Sequence, residues 1–185
     1  MAKVIVIGAG PAGIMAAITA AENHKVLLID GNEKIAKKLF ITGKGRCNIT
    51  NAKDIGDFFD YIPGNPHFLY SALYSFTNND VIEMIENEGT KLTVERGGRV
   101  FPESDKSSDI IKALSKKLSK AKVDIRLNSK VTDVFFENDI IKSVEINGSE
   151  RISADYFIIA TGGASYPLTG SSGEGQVLAE KMGHK

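Results

Sequence analysis

The run from Lys3 to Ile7 is continuously apolar after its first residue and too short for a helix, which predicts a strand buried on both faces. Ile14 to Ala21 follows, rich in alanine and free of breakers, and predicts a helix. Lys25 to Ile29 repeats the buried-strand pattern. Asn32 then has the character of a cap for a short helix carrying Ile35 and Leu39 on one face. Thr42 to Asn51 is a polar loop. Pro66 can open a helix through about Phe76, with Phe68, Leu69, Leu73 and Phe76 as its apolar positions. Val81, Ile82, Met84 and Ile85 predict a second short helix, stopped by Gly89. Behind Ser107 and Ser108, Ile110, Ile111, Leu114 and Leu118 form the apolar face of a clearer helix. Its Lys112, Lys116, Lys117 and Lys120 read as a solvated face.

The texture changes after Lys122. Val123–Leu127, Val131–Phe136 and Ile140–Ile146 read as short strands. Asn147-Gly148 is a two-residue hairpin signal that returns Glu150–Ala154 as a further strand. Tyr156 to Ala160 reads as one more buried run, closed by Thr161-Gly162-Gly163. The last stretch, Gln176 to Met182, reads as helical.

The connection between the first strand and the first helix is Gly8-Ala9-Gly10-Pro11-Ala12-Gly13, and the second strand ends in Asp30. Strand, G-x-G-x-x-G, helix, strand and terminal acid form a dinucleotide-binding βαβ unit. Gly8 permits the tight turn, Gly10 lets a pyrophosphate approach the backbone, and Gly13 lets the helix pack closely on the strand. The helix N-terminus presents N–H groups and partial positive charge to the phosphates. Asp30 can accept hydrogen bonds from a ribose diol and would repel a 2′-phosphate, which argues against NADP.

A nicotinamide dehydrogenase would continue with further βα units. This chain makes a helical excursion, then an antiparallel meander, then one more core strand. The expected class is therefore α/β, a Rossmann-like FAD-binding domain of the glutathione-reductase type: a parallel sheet with an antiparallel β-meander. In that layout the Thr161-Gly162 turn packs beside the first Gly-rich turn.

Composition narrows the function classes. The 185 residues carry 23 Lys and Arg against 23 Asp and Glu, so no global field favours nucleic acid or acidic lipid. No apolar run is long enough to span a bilayer, and the start of the chain lacks the charge and continuity of a signal peptide. The single cysteine, Cys47, excludes an intramolecular disulfide and a C-x-x-C dithiol. A soluble cytoplasmic protein is expected. His24, His67 and His184 match no metal spacing, so no metal site is expected.

Gly43-Lys44-Gly45-Arg46-Cys47-Asn48-Ile49-Thr50-Asn51 can be a solvated turn. It can equally be a ligand loop, with free amides, an Arg46 fork and an Asn48 amide. Gly97-Gly98-Arg99-Val100-Phe101-Pro102 is a turn leading into an extended segment. Thr169-Gly170-Ser171-Ser172-Gly173-Glu174-Gly175 has the composition of a phosphate loop but lacks a preceding strand.

Together these stretches, with Lys37-Lys38-Leu39, Ala160-Thr161-Gly162-Gly163-Ala164-Ser165-Tyr166-Pro167 and Gly183-His184, resemble the N-terminal part of the bacterial BaiN-type flavoproteins, the aminoacetone-oxidase-like family. The resemblance implies non-covalent FAD and oxidoreductase chemistry at the flavin. A small-molecule substrate is expected, with NAD(P)H a candidate donor, and the balanced charge and lack of a spanning run predict neither nucleic acid nor membrane as partner. It implies that Gly8, Gly10, Pro11, Ala12, Gly13 and Asp30 hold the pyrophosphate and adenosine ribose. Lys37 and Lys38 would line the adenosine side, and the main chain of Val131 would meet the adenine. Thr161 and Gly162 would lie against the cofactor, and Gly45, Arg46, Cys47 and Asn48 would approach the flavin. The family more often has Glu where this chain has Asp30. Its members are about twice as long, so residues 1–185 are expected to be the N-terminal portion of the FAD domain, without the substrate domain and the returning segment. Such a portion is expected to be weak or inactive alone. The rival readings are a non-catalytic adenine-dinucleotide module and a flavin-dependent RNA-modifying enzyme. No catalytic residue is assigned.

Overall fold

The computed structural model describes every residue except Tyr166, Gly170, Ser171 and Lys185. In chain order the elements are β1 (Lys3–Ile7), α1 (Pro11–Ala21), β2 (Lys25–Ile29), α2 (Lys37–Ile41), β3 (Thr50–Asn51), α3 (Tyr70–Ser75) and α4 (Asn78–Glu86). They continue as β4 (Leu92–Val94), β5 (Arg99–Pro102), α5 (Ser107–Lys120), β6 (Asp124–Arg126) and β7 (Val131–Glu137). The last are β8 (Ile140–Ile146), β9 (Glu150–Ser153), β10 (Tyr156–Ile159) and α6 (Glu174–Lys181). The chain divides into two compact units, Met1–Leu39 with Ser115–Lys185, and Phe40–Leu114.

The first unit holds a four-stranded sheet in the order β10-β1-β2-β6 and the meander β7-β8-β9. All pairings in the four-stranded sheet are parallel, with Ile7 opposite both Ile29 and Ile159. Side chains alternate across a strand. Ile5, Ile7 and Ile29 therefore share one face, where they pack with Val131, Val134, Val144 and Ile146 of the meander and Leu178 of α6. The intervening Val4, Val6, Val26 and Leu28 are buried as well, and α1 packs against β1 and β2 through this part of the unit. Burial on both faces accounts for the unbroken apolar runs. Asn147 and Gly148 both have positive φ, 53° and 69°, the requirement of a type I′ hairpin.

The second unit is built on the small antiparallel sheet β3-β5-β4, with α4 beside β3. Thr77 caps α4 and Asp80 returns the bond to its backbone, a capping box. Gly89, at φ 91°, ends this region as expected.

Four local expectations are corrected. No helix starts at Asn32, because Ala36 has φ 55° and interrupts any right-handed turn before Lys37. The stretch opened by Pro66 begins as a 3₁₀ turn (Pro66–Leu69) before α3, and its apolar residues do not form a core face: Phe68, Leu69 and Phe76 are exposed. The loop 42–51 contains a 3₁₀ turn, Thr42–Gly45, and the short strand β3. Finally, β10 is an edge strand, so its residues are only half-buried and Tyr156 is exposed.

Candidate functional site

The carboxyl ends of β1, β2 and β10 open into a cavity of about 290 Å³ in the first unit. Its wall is formed by the turn after β1, by Asp30 to Asn32, by Lys37 and Lys38, by Ser129 to Val131, by Ala160 to Gly162, and by Glu174 and Leu178 of α6. Ligands of open α/β sheets bind at this edge. The volume lies at the low end of small-molecule sites, roughly 300–1,000 Å³, and so matches part of a dinucleotide.

The three motif glycines differ in what surrounds them. A Cβ on Gly8, whose φ is 105°, would lie 2.5 Å from the Ala160 carbonyl oxygen and 2.9 Å from Thr161 Cα. The two turns are therefore in contact, as the layout predicted. A Cβ on Gly13 would lie 1.7 Å from the Gly8 carbonyl oxygen, so only glycine allows α1 to start this close to β1. A Cβ on Gly10 would meet nothing within 4 Å. It would project into open space beside the cavity, the cradle that a phosphate group would fill. Gly10 is also the N-cap of α1, and no side chain caps the helix. Pro11 occupies the first turn and has no N–H, which leaves the amides of the following residues for a ligand.

Asp30 ties this turn to β2. Its Oδ2 accepts from the Ala9 amide at 2.6 Å, and its Oδ1 accepts from Asn32 N at 2.7 Å and Asn32 Nδ2 at 2.8 Å. Three acceptor sites are thus occupied, and a carboxylate has about four. Lys37 Nζ donates to Asn32 Oδ1 at 3.1 Å, and Lys38 Nζ donates to the Ser165 carbonyl at 3.1 Å. Lys130 Nζ pairs with Glu174 Oε1 at 2.7 Å. The cavity wall carries three lysines against two carboxylates, a bias that suits an anionic ligand. The Asn147 side chain accepts from Lys130 N at 2.8 Å and donates to the Asn128 carbonyl at 3.0 Å, so the hairpin tip fixes the loop that supplies Ser129 to Val131.

Of the expected site residues, Gly8, Gly10, Pro11, Ala12, Asp30, Lys37, Lys38, Val131, Thr161 and Gly162 line this one cavity, and Gly13 packs beneath its floor. Asn32, Ser129, Lys130 and Glu174 also line it and were missed. Asn32 was legible as a neighbour of the terminal acid, whereas the other three come from distant segments. Of the phosphate-like loop at 169–175, Gly170 and Ser171 lie outside the described residues, as does Tyr166. Gly175 approaches the end of β10 and the turn after it closely, since a Cβ there would lie 3.2 Å from Ile159 Cγ2 and 2.2 Å from Thr161 Oγ1.

Gly45, Arg46, Cys47 and Asn48 belong to the second unit. The Arg46 guanidinium binds Glu95, and its Nε donates to Asp105 Oδ1 at 2.7 Å. It also lies 4.2 Å from the Phe101 ring centroid. The Glu95 bond, helped by Asp105, raises its pKa further above its ordinary value. Cys47 is fully buried, and desolvation pushes its thiol pKa up despite a bond from Thr42. A thiol of this kind packs as a small hydrophobe. Gly45 has open space around it and Asn48 is exposed. Among the described residues, no group of three or more His, Cys, Asp or Glu could hold a metal ion, and no helix is long and apolar enough to cross a membrane.

Residues 2–185 match the family model described as the HI0933-like protein Rossmann domain. The 3-dehydro-bile acid delta(4,6)-reductase of Clostridium scindens is 34% identical over 188 residues, spanning 100% of this chain and 44% of that protein. The ribosomal RNA dihydrouridine synthase of Escherichia coli is 34% identical over 180 residues, spanning 97% of this chain and 44% of that protein. The chain thus spans less than half the length of these relatives. Among solved structures, the Mycobacterium smegmatis Sdh1 complex superimposes with a TM-score of 0.71 at 18% identity, over 98% of this chain and 38% of that one, a likeness of fold. Family and fold support FAD as the dinucleotide of this chain, and the open cradle at Gly10 fits its diphosphate. The glycine turn, the terminal acid, the meander and the full-length family match lead to one conclusion: the chain belongs to the HI0933-like Rossmann-domain family, the group its BaiN-type motifs resemble.

Proposed function

We propose that this chain is the FAD-binding portion of a flavin-dependent oxidoreductase. The observation that carries the reading is the empty space at Gly10, set between two glycines that are sterically obligatory. In this reading the diphosphate rests on the turn from Gly8 to Gly13, against the uncapped end of α1. Asp30 uses its remaining acceptor site for the adenosine ribose. Lys37 and Lys38 neutralise the diphosphate from the adenosine side, the Val131 main chain meets the adenine, and Thr161 and Gly162 lie against the cofactor. Gly45, Arg46, Cys47 and Asn48 serve the flavin end. Arg46 then acts through its hold on Glu95 and Asp105, Cys47 through its backbone, and Gly45 and Asn48 directly.

Bound FAD supplies hydride or electron transfer, and the protein supplies binding, orientation and exclusion of water. The names of both relatives, a reductase and a dihydrouridine synthase, describe addition of hydrogen. The reading therefore takes the reaction as reductive, with NAD(P)H as donor, away from membranes and in the cytoplasm. Its substrate is a small molecule in the first reading, for which the balanced charge speaks, and RNA in the second, for which the dihydrouridine synthase relative speaks. The isolated 185 residues bind the cofactor and turn over weakly or not at all. Titration with FAD tests this: the purified chain should retain flavin absorbance near about 370 and 450 nm after gel filtration. A featureless spectrum after saturation with FAD refutes it. Bound flavin that no NADH or NADPH reduces, in a protein extended to its relatives' length, would convert the reading into a binding module.

A further inference from the structure

The second unit carries a surface that the proposed function does not use. From Lys53 to Phe76 the chain forms two 3₁₀ turns, Ile55–Tyr61 and Pro66–Leu69, followed by the six-residue α3. Phe59 stacks on Tyr70 and Tyr74 with ring centroids 5.1 and 5.9 Å apart, and Tyr70 and Tyr74 are 4.6 Å apart. The stack is open to solvent: Tyr70 is 52% exposed and Tyr74 45%, with Tyr61 at 70% and Phe68 at 82% in the same segment. Exposed aromatic clusters of this kind mark interaction sites.

The charge around the rings selects the partner. Asp54, Asp57 and Asp60 are exposed among them, and residues 54–76 contain no lysine or arginine. The protein's own Lys53 shows what the surface accepts. Its Nζ lies 4.2 Å from the Tyr61 ring centroid and donates to the Tyr61 hydroxyl at 2.7 Å. That hydroxyl bond, with Asp57 and Asp60 nearby, favours the charged ammonium. Aromatic faces attract cations, and carboxylates at the rim steer them in. The same carboxylates repel a phosphate polymer or an anionic lipid surface.

We propose that this aromatic and acidic face is a docking surface for a partner polypeptide presenting lysine and arginine side chains. Tyr70, Tyr74 and the open Phe68 supply rings for the cationic groups, Tyr61 being engaged by Lys53, and Asp57 and Asp60 pair with neighbouring charges on the partner.

The test is a fluorescence-anisotropy titration of labelled octalysine with the full chain at low salt, with labelled octaglutamate as control. Saturable binding of octalysine alone is expected. Tyr70→Ser with Tyr74→Ser, which leaves every charge in place, should weaken it at least tenfold, and Asp57→Asn with Asp60→Asn should do the same. Phe68→Ser alters the most open ring of the segment and leaves the fold intact; it should weaken binding about threefold. A circular-dichroism melt confirms folding of each variant, and Phe68→Ser alone decides the matter if the double tyrosine variant unfolds. No saturable binding of octalysine overturns the proposal. So does binding that survives the ring substitutions, because the interaction would then be one of charge only. Concentration-dependent dimerisation in sedimentation velocity, abolished by the same substitutions, would also overturn it by assigning the face to a second copy.

Discussion

Gly10→Ala and Gly13→Ala place the same methyl group three residues apart and should separate binding from folding. Gly10 has φ −76° and ψ 178°, ordinary extended values for alanine, and its Cβ would touch nothing. Restricting the unfolded chain contributes about 0.4–1 kcal/mol, and the poorer capping by alanine at this N-cap position takes back about 0.5–1 kcal/mol. The two nearly cancel, so at roughly 2–4 °C per kcal/mol for a chain of this size Tm is expected to stay within about 2 °C of wild type. The methyl would occupy the space read as the diphosphate cradle. Loss of one charge-assisted hydrogen bond costs about 1.5–3 kcal/mol, which is about 10- to 150-fold in Kd. In Gly13→Ala, the Cβ must retreat from 1.7 Å to at least 3.0 Å from the Gly8 oxygen. Both partners are backbone, so α1 must lift from β1. Overpacking of this kind costs about 1–3 kcal/mol or more, and Tm should fall by about 2–12 °C. Thermal melts by circular dichroism and FAD titrations by flavin fluorescence read the two axes. Wild-type affinity in Gly10→Ala would refute the cradle, and a wild-type melt in Gly13→Ala would refute the packing.

Further outcomes follow from the same geometry. Asp30→Asn sets an amide donor against either the Ala9 N–H or the two Asn32 N–H groups, depending on how it rotates; it should cost about 1–3 kcal/mol in a denaturant melt and lower FAD affinity as well. Cys47 should resist a disulfide-exchange reagent in the native protein and react fully in guanidinium; fast native labelling would contradict its burial. Thr77→Ala removes the α4 cap and should lower stability by about 1 kcal/mol in the same denaturant melt. Acid should destabilise the fold. The Thr77 hydroxyl lowers the Asp80 pKa, Ser104 that of Asp109, Lys181 that of Asp133 and Arg126 that of Glu150. Groups depressed on folding contribute stability above their unfolded pKa, around 3.8 for Asp and 4.5 for Glu, and lose it as pH falls through the lower folded value. Melts that stay flat below pH of about 4 would show that these bonds do not form in solution.

Legibility in the sequence followed how local each signal was. β1, β2 and β8 have the limits their apolar runs predicted, because burial on both faces or a strong hairpin turn leaves little freedom. The glycine turn was legible for the same reason: strand, turn and helix are contiguous. Asn32 misled because its Oδ1, the acceptor a cap would use, is bound by Lys37 Nζ, and Ala36 at φ 55° breaks the turn it would have capped. β3 and β4 have two and three residues, too few for a period to register. The burial of β10 was overstated because an apolar run does not say whether a strand is central or at the edge. The apolar residues from Phe68 to Phe76 were spaced for a helix face but are exposed, and spacing alone cannot report what covers a face. Lys130 and Glu174 come from segments 44 residues apart in sequence and meet only because the meander and α6 share a core with β1.

The cavity is held open by the chain itself. Gly8 N donates to the Ile29 carbonyl at 2.7 Å, Ala36 N donates to the Ala9 carbonyl at 2.8 Å, and Asp30 bridges Ala9 and Asn32. Ser129 N donates to the Asp30 carbonyl at 2.9 Å, and Asn147 fixes the backbone on either side. The turn after β1, the stretch from Asp30 to Ala36 and the loop at Ser129 are therefore ordered by bonds within the chain. A site ordered in advance loses little conformational entropy on binding, so its contacts count nearly in full toward affinity. That argues for assigning grip to the first unit and for seeking substrate choice elsewhere. The two relatives match this chain equally well, at 34% identity, yet carry names with unrelated substrates. What this stretch shares with both is the family's Rossmann domain, so two different substrate names over one such domain accord with a stretch that serves the cofactor rather than the choice of substrate.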